Sequence, residues 1–502
     1  MMRDWHPARL LPDIGGLFAL VTFILLTLFS GGRSLNDGDT FWHIAAGQRM
    51  LADRAILTQD VFSHTAHNAP WTAHEWLSEI VMAIVHDFAG LPGVCIFFFF
   101  IASLSFWILY VTVKQEASEW PTLVFVSLAF ILSLSHLLAR PHIFTWLLGG
   151  LSFYLLKKQN RSLYFLPVIT ILWVNLHGGF ILGIALQGMF LCGRYIEAGF
   201  PLKKCHFINW LKEQKTSLLV FFLTIIAVGI NPFGYSLYLF PFHVSGDVFA
   251  QGINEWLSPN LQEQWIFRFF LLFIIFLLSL NKSLPTWQER LFLLFFINAA
   301  LVHQRHISVA GYYLAPVLAR STERWLTPVF HIFSRKKADF QAPLVLSKWS
   351  GPVGSLTLAI IFLVLSSSLL PKSQFYFKNL IPVPEKIFPI AAVEYLSTNR
   401  PKGNVLNQYA WGGYMIYALR PEQPVFIDGR ADMYGLKIFG DYQKIVQVDE
   451  KMDELLEQYN IKWIFYPKDS PLIRYLKQKK NWQEIYADEL ASILTKGKDS
   501  RP

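Results

Sequence analysis

Charge is scarce in this chain. Only 16% of its 502 residues are Asp, Glu, Lys or Arg, where soluble domains carry roughly a quarter, so an ordinary solvated globule is excluded as the main architecture. Cysteine is scarcer still. Cys95 and Cys192 lie in apolar runs and Cys205 in a basic loop; no pair is evidently placed for a disulfide and no spacing fits zinc. Internal repeats and low-complexity segments are absent. The basic excess, a formal +9, is not gathered in one patch. It sits mostly in short loops between apolar runs, where membrane topology explains it better than nucleic acid does.

What the chain has instead is apolar length. Hydrophobic residues make up 53% and aromatics 16%, with 44 Phe, many in runs such as Phe97 to Phe100. This composition specifies an integral, multi-pass membrane protein. Arg3 and Arg9 precede the run Leu10 to Phe29. The run is long for a signal peptide and Ser30-Gly31-Gly32 is a poor cleavage site, so it reads as an uncleaved first span with a cytoplasmic N-terminus. Spans are expected near 11–30, 91–113, 119–138, 142–157, 162–177, 178–194, 217–231, 264–280, 289–303, 307–320 and 353–371, about eleven in all. With odd-numbered spans running outward, most basic loops fall inside, up to Arg335, Lys336, Lys337 and Lys348, and the outer loop 232–263 holds no Lys or Arg. This asymmetry is what cytoplasmic retention of positive charge requires. The first outer loop, with Arg33, Arg49 and Arg54, is the exception.

The same assignment collects the unusual polar residues at the outer face. Asp37, Asp39 and His43 follow the first span, and His74 and Glu75 lie in the same loop. Arg140 and His142 join spans three and four. Asn175 and His177 end span five, and Asn231 ends span seven. Asp247 and Glu255 occupy the next outer loop, and His303, Arg305 and His306 join spans nine and ten. Carboxylates beside a membrane are costly unless solvated, paired or used. Asp37 and Asp39 suit a general base, alone or with a metal ligand. They equally suit a turn residue and a helix N-cap. Thr72 to Glu75 matches a capping box. Arg140, His177, His303, Arg305 and His306 form a cationic set fit for a lipid-linked phosphate, or for lipid headgroups, and His142 beside Arg140 is a further substrate-binding candidate. Glu255 either completes a site for a divalent cation (Mg or Mn) with Asp39 or is a solvated loop acid. Two helices are expected in the first outer loop: one from Asp39 with Phe41, Ile44, Ala45 and Leu51 on one face, and one over 72–89 that lies on the membrane surface or begins span two.

From about Pro371 charge rises and short elements alternate. Val405 to Asn407, Pro424 to Ile427 and Ile461 to Phe465 read as strands, and 391–399, 433–446 and 450–459 as helices. Segments 482–486 and 491–494 close the sheet as a hairpin. The expected organisation is a transmembrane domain, 1–371, whose first outer loop 31–90 carries the acidic motif, and an extracytoplasmic α/β domain, 372–502. Two stretches there follow strands: Tyr409 to Tyr414, with paired glycines that permit close approach or serve a turn, and Asp428 to Asp432, in which the two acids flank Arg430 or face a ligand.

In this layout the chain resembles the GT-C superfamily of polytopic glycosyltransferases, which includes the oligosaccharyltransferase catalytic subunit and the polyprenyl-phosphate-sugar transferases. Asn36-Asp37-Gly38-Asp39 stands where that superfamily keeps its catalytic acid. Val405 to Tyr414 loosely resembles the aromatic-glycine motif of the oligosaccharyltransferase outer domain, but Gly412 follows Trp411 where that motif has an Asp. The resemblance implies a mainly α membrane enzyme that moves a sugar from a polyprenyl-phosphate-type donor to an acceptor at the outer face of the cytoplasmic membrane. Its site would take Asp37 or Asp39 as base and His43, His74, Glu75 and the cationic set as substrate ligands. The alternative is a transporter or flippase-like component of envelope glycan assembly, which would place polar groups near the bilayer midplane, often with internal repeats.

Overall fold

The computed structural model describes residues 13–199, 204–240, 254–280, 285–333, 381–419 and 423–497. Apolar runs become helices: α1 (Ile14–Phe29), α3 (Trp76–Val113), α4 (Glu119–Ser133), α5 (His142–Lys158), α6 (Leu166–Leu176), α7 (Ile181–Glu197), α9 (Lys215–Ala227), α10 (Trp265–Leu280), α11 (Trp287–Val302) and α12 (Ile307–Phe333). These correspond to ten of the expected spans; the eleventh, 353–371, the proposed domain boundary and Asp247 lie outside the described residues. Among the described residues, Trp76–Val113, Glu119–His136 and Gly178–Glu197 are long and apolar enough by themselves to cross a bilayer. The amphipathic α2 (Asp39–Asp53) and α8 (Lys204–Glu213) stand between apolar helices. One buried cluster, rich in Phe98, Phe99, Phe106, Phe153 and Trp173, joins α1, α3 to α7, α11 and α12.

The expected helix over 72–89 is the first half of α3 and runs on into the second span. It bends at Gly90, whose φ of 66° breaks the helical path two residues before Pro92. A proline disfavours helical backbone before it and removes a donor. The helix starts at Trp76, with Glu75 itself at the N-cap and no side-chain cap bond. The expected capping box is therefore not formed, and the Glu75 carboxyl is turned elsewhere.

Helix α2 is buried on more than one face, because two bodies pack on it. Ile44 joins the helix-bundle core. Phe41, Trp42, Ala45, Ala46 and Met50 instead join Phe388, Trp411, Tyr414 and Met415 of the C-terminal part. Phe41 packs edge-on against Phe388 and Tyr414, with centroids 5.1 and 5.0 Å apart. Leu51, expected on the apolar face, is 39% exposed.

The C-terminal part is a small α/β unit. Its sheet runs β1 (Asn404–Asn407), β2 (Ile461–Pro467), β4 (Ala491–Lys496), β3 (Trp482–Ala487), with β1 and β2 parallel and the rest antiparallel. Helices α13 (Ile390–Thr398), α14 (Tyr409–Leu419), α15 (Ala431–Val446), α16 (Met452–Gln458) and α17 (Pro471–Leu476) surround it. The expected strand 424–427 does not join this sheet. Val425 exchanges backbone hydrogen bonds of 3.0 Å with Phe62 and His64 of the first loop, and the Asn407 amide ties Phe426 and Ile427 to the end of β1. The partners of that segment are remote in sequence, so alternation alone could not reveal them. Helix α14, unforeseen, carries Gly412 and Gly413 in its first turns.

Candidate functional site

Where the first loop, the C-terminal unit and the helix ends meet, they enclose a cavity of about 860 Å³. All twelve expected site residues line it: Asp37, Asp39, His43, His74, Glu75, Arg140, His142, His177, Glu255, His303, Arg305 and His306. Apolar side chains line it too: Ile181, Leu182, Phe295, Phe296 and Val309 from α7, α11 and α12.

The two aspartates divide their tasks. Asp37 Oδ1 accepts the backbone N–H of Asp39 at 2.9 Å, which starts α2. Asp39 is the first helical residue, and its carboxylate faces the cavity. Its Oδ1 accepts from Trp42 Nε1 at 2.9 Å, and its Oδ2 from Arg140 Nη2 at 2.7 Å. Arg140 Nη1 also pairs with Asp37 Oδ2 and lies 3.7 Å from Glu255 Oε2. Burial, then the charge of Asp37, pushes the Asp39 carboxyl up to about 7, against Arg140 and the Trp42 hydrogen bond.

The C-terminal unit clamps this motif by backbone proximity. A Cβ at Gly413 would collide with the Gly38 carbonyl, and one at Gly429 with Asp39 Oδ1. The paired glycines thus serve approach by another element. Gly412, the departure from the aromatic-glycine motif, presses on Ile427 and Asp428.

Glu255 and Arg305 continue the polar rim. Arg305 Nη1 donates to Glu255 Oε1 at 3.2 Å, and its guanidinium stacks 4.4 Å from the Trp256 ring centre. Burial works to raise Glu255, but Arg140 and Arg305 hold it below the usual carboxylate range. Burial and then Arg305 push His306 down to about 4, so it is neutral at pH 7. His303 Nδ1 bonds the Trp256 carbonyl.

A second group centres on His43 and Glu75. His43, 1% exposed, places Nε2 3.4 Å from Glu75 and Nδ1 3.2 Å from Glu79. Glu75 also meets His177 at 3.3 Å and His74 at 3.6 Å. Burial raises Glu75 to about 7, while burial and Arg140 hold His43 well below its ordinary value. Asn175 and Asn231 have structural work: Asn175 joins Trp76 to the Ile230 carbonyl, and Asn231 closes its own turn.

Sequence reasoning missed Glu79, His136, Trp256 and Tyr409 as lining residues. Glu79 stands one turn after Glu75 on α3, a spacing that puts both on one face. Arg430 and Asp432 both line the cavity; Arg430 keeps the expected local pair with Asp428 and takes Asp60 of the first loop as its second acid. Asp39 and Glu255, the expected metal pair, both approach the Arg140 guanidinium, at 2.7 and 3.7 Å. Among the described residues no three His, Cys, Asp or Glu side chains are grouped to hold a metal ion.

No protein-family model matches the chain, and no curated protein matches it in sequence. Solved structures do. The apo oligosaccharyltransferase of Archaeoglobus fulgidus superposes with a TM-score of 0.55 at 11% identity, over 97% of this chain and 74% of that one. ArnT from Cupriavidus metallidurans, solved with undecaprenyl phosphate, gives 0.49 at 10% identity, over 96% and 98%. The likeness to the oligosaccharyltransferase gives this chain the GT-C fold.

Proposed function

We propose that this protein is a membrane glycosyltransferase that moves a sugar from a polyprenyl-phosphate-type donor to an acceptor hydroxyl at the extracytoplasmic edge of the membrane. One observation carries the reading: a single cavity is lined both by the charged groups of Asp39, Arg140, Glu255 and Arg305 and by apolar side chains of α7, α11 and α12. A charged head with an isoprenoid tail matches that combination. The GT-C fold, shared with an oligosaccharyltransferase, supports it.

Asp39 is the general base, because Asp37 is engaged in starting α2. The acceptor hydroxyl loses its proton to the Asp39 carboxylate as its oxygen attacks the anomeric carbon. The bond from that carbon to the phosphate oxygen breaks, and the phosphate leaves with the electron pair. Arg305, stacked on Trp256, is placed to hold that charge, which is the task a guanidinium fork suits. The polar groups gather at one end of the bundle under a cap rather than spreading from both sides, which favours transfer over transport.

The test is transfer from a labelled polyprenyl-phosphate sugar by purified protein. Asp39→Asn should lower kcat by about 10²–10⁴, the usual range for a lost general base, with folding intact. Full activity in Asp39→Asn would sink the assignment.

A further inference from the structure

A guanidinium stands at the centre of the acidic motif, where the sequence pattern invites a metal. Asp37 and Glu255 approach Arg140 Nη1, the latter at 3.7 Å, and Asp39 approaches Nη2 at 2.7 Å. The three carboxylates therefore share one planar fork, two at Nη1 and one at Nη2. A Mg²⁺ or Mn²⁺ ion needs oxygen ligands at about 2.0–2.2 Å around one point, and here that point is taken by the side chain. Nor is Arg140 a chance visitor. Its segment is pinned to the acidic loop: the Ala139 N–H donates to the Ser34 carbonyl at 3.0 Å, and the Thr40 hydroxyl donates to the Ala139 carbonyl at 3.2 Å. Its side chain is 17% exposed, so withdrawing it would leave three part-buried acids facing one another.

We propose that Arg140 is the resident counter-cation of this site, standing among Asp37, Asp39 and Glu255 in place of a divalent ion, so that sugar transfer here proceeds without a bound metal. The last clause rests on the glycosyltransferase reading; the first does not. Arg140 is thereby a positioning residue. It orients the Asp39 carboxylate and leaves the donor phosphate to Arg305. Unlike a divalent ion, it brings one positive charge and a fixed hydrogen-bonding plane.

The experiment is a Mn²⁺ titration of the detergent-solubilised full chain, followed by the loss of the free-ion electron paramagnetic resonance signal. Wild type should show no stoichiometric binding up to about 1 mM, the weak end of protein cation sites. Arg140→Met frees the acids and should gain one Mn²⁺ site, roughly tenfold tighter or more, which is lost again on adding Glu255→Gln. Transfer by wild type should proceed at the same rate in chelator. Stoichiometric wild-type binding that disappears in Asp39→Asn or Glu255→Gln overturns the proposal, as does a folded Arg140→Met with no gained site. Should Arg140→Met fail to fold, the wild-type titration decides alone. A chain that transfers no sugar would refute the glycosyltransferase reading while leaving the titration result intact.

Discussion

Asp39 and Glu75 both titrate near 7 because burial resists their charge, and each has an arginine that only partly offsets it. A base must be unprotonated to work. Both acids are raised above their ordinary values, so the active form is lost as pH falls through about 7. Transfer should therefore rise with pH from 6 to about 8, and a pH–kcat profile checks this. The acid limb should persist in Glu75→Gln if Asp39 is the base, and vanish if Glu75 is. Arg305 bears on the donor instead. Arg305→Ala should raise the donor KM by roughly ten- to a hundredfold, the equivalent of a charged hydrogen bond, with a smaller change in kcat; steady-state kinetics with varied donor separates the two. At this scale the sequence was informative about membership. Every expected side chain lines the cavity, because intramembrane-edge His, Arg and acids have few inexpensive places to be. It was silent on remote partners. The turn reading of Asp37 accommodates its bond from the Asp39 N–H, but nothing in Asn36 to Asp39 says that Arg140, 101 positions after Asp39, would bind both acids.

Among the elements, α2 and α14 decide the position of the acidic motif. The start of α14 lies against the N-cap of α2, with no room for a Cβ at Gly38 or Gly413. Gly413→Ala would force α14 off the motif. Such overpacking costs about 1–3 kcal/mol, and the displaced Asp39 should lower kcat as well. Gly188→Ala is the control: it lies in α7 with open space around its Cβ position, and losing a helical glycine is neutral or stabilising by up to about 1 kcal/mol. Thermal unfolding in detergent and kcat, measured on both variants, test the contrast. Helices were legible from apolar runs, and β1, β2 and the β3–β4 hairpin from alternation. Two elements were not. Segment 424–427 alternates like a strand but finds its backbone partners in residues 62–64. Helix α14 carries two glycines in its first turns, which lower helix propensity, and only its packing explains them.

Considered as a whole molecule, the cap is a composite. Arg430 binds Asp428 at 2.6 Å and Asp60 at 2.7 Å, and lies over the rings of Phe62 and Trp71. Breaking such a buried pair costs about 3–5 kcal/mol, since it leaves an uncompensated charge. Asp60→Asn, remote from the chemistry, should therefore loosen the C-terminal unit, read as faster proteolysis within 381–497 and a lower kcat. The same contact has a topological meaning. Asp60 precedes most of the apolar helices and Arg430 follows them all, yet the two side chains touch. A chain whose ends of a segment meet on one side of a bilayer must cross that bilayer an even number of times between them. The Asp60–Arg430 pair is thus a parity constraint on the path from the first loop to the last domain. Single cysteines placed in exposed positions near residues 54 and 450 should be labelled by the same impermeant reagent from the same side of a sealed vesicle.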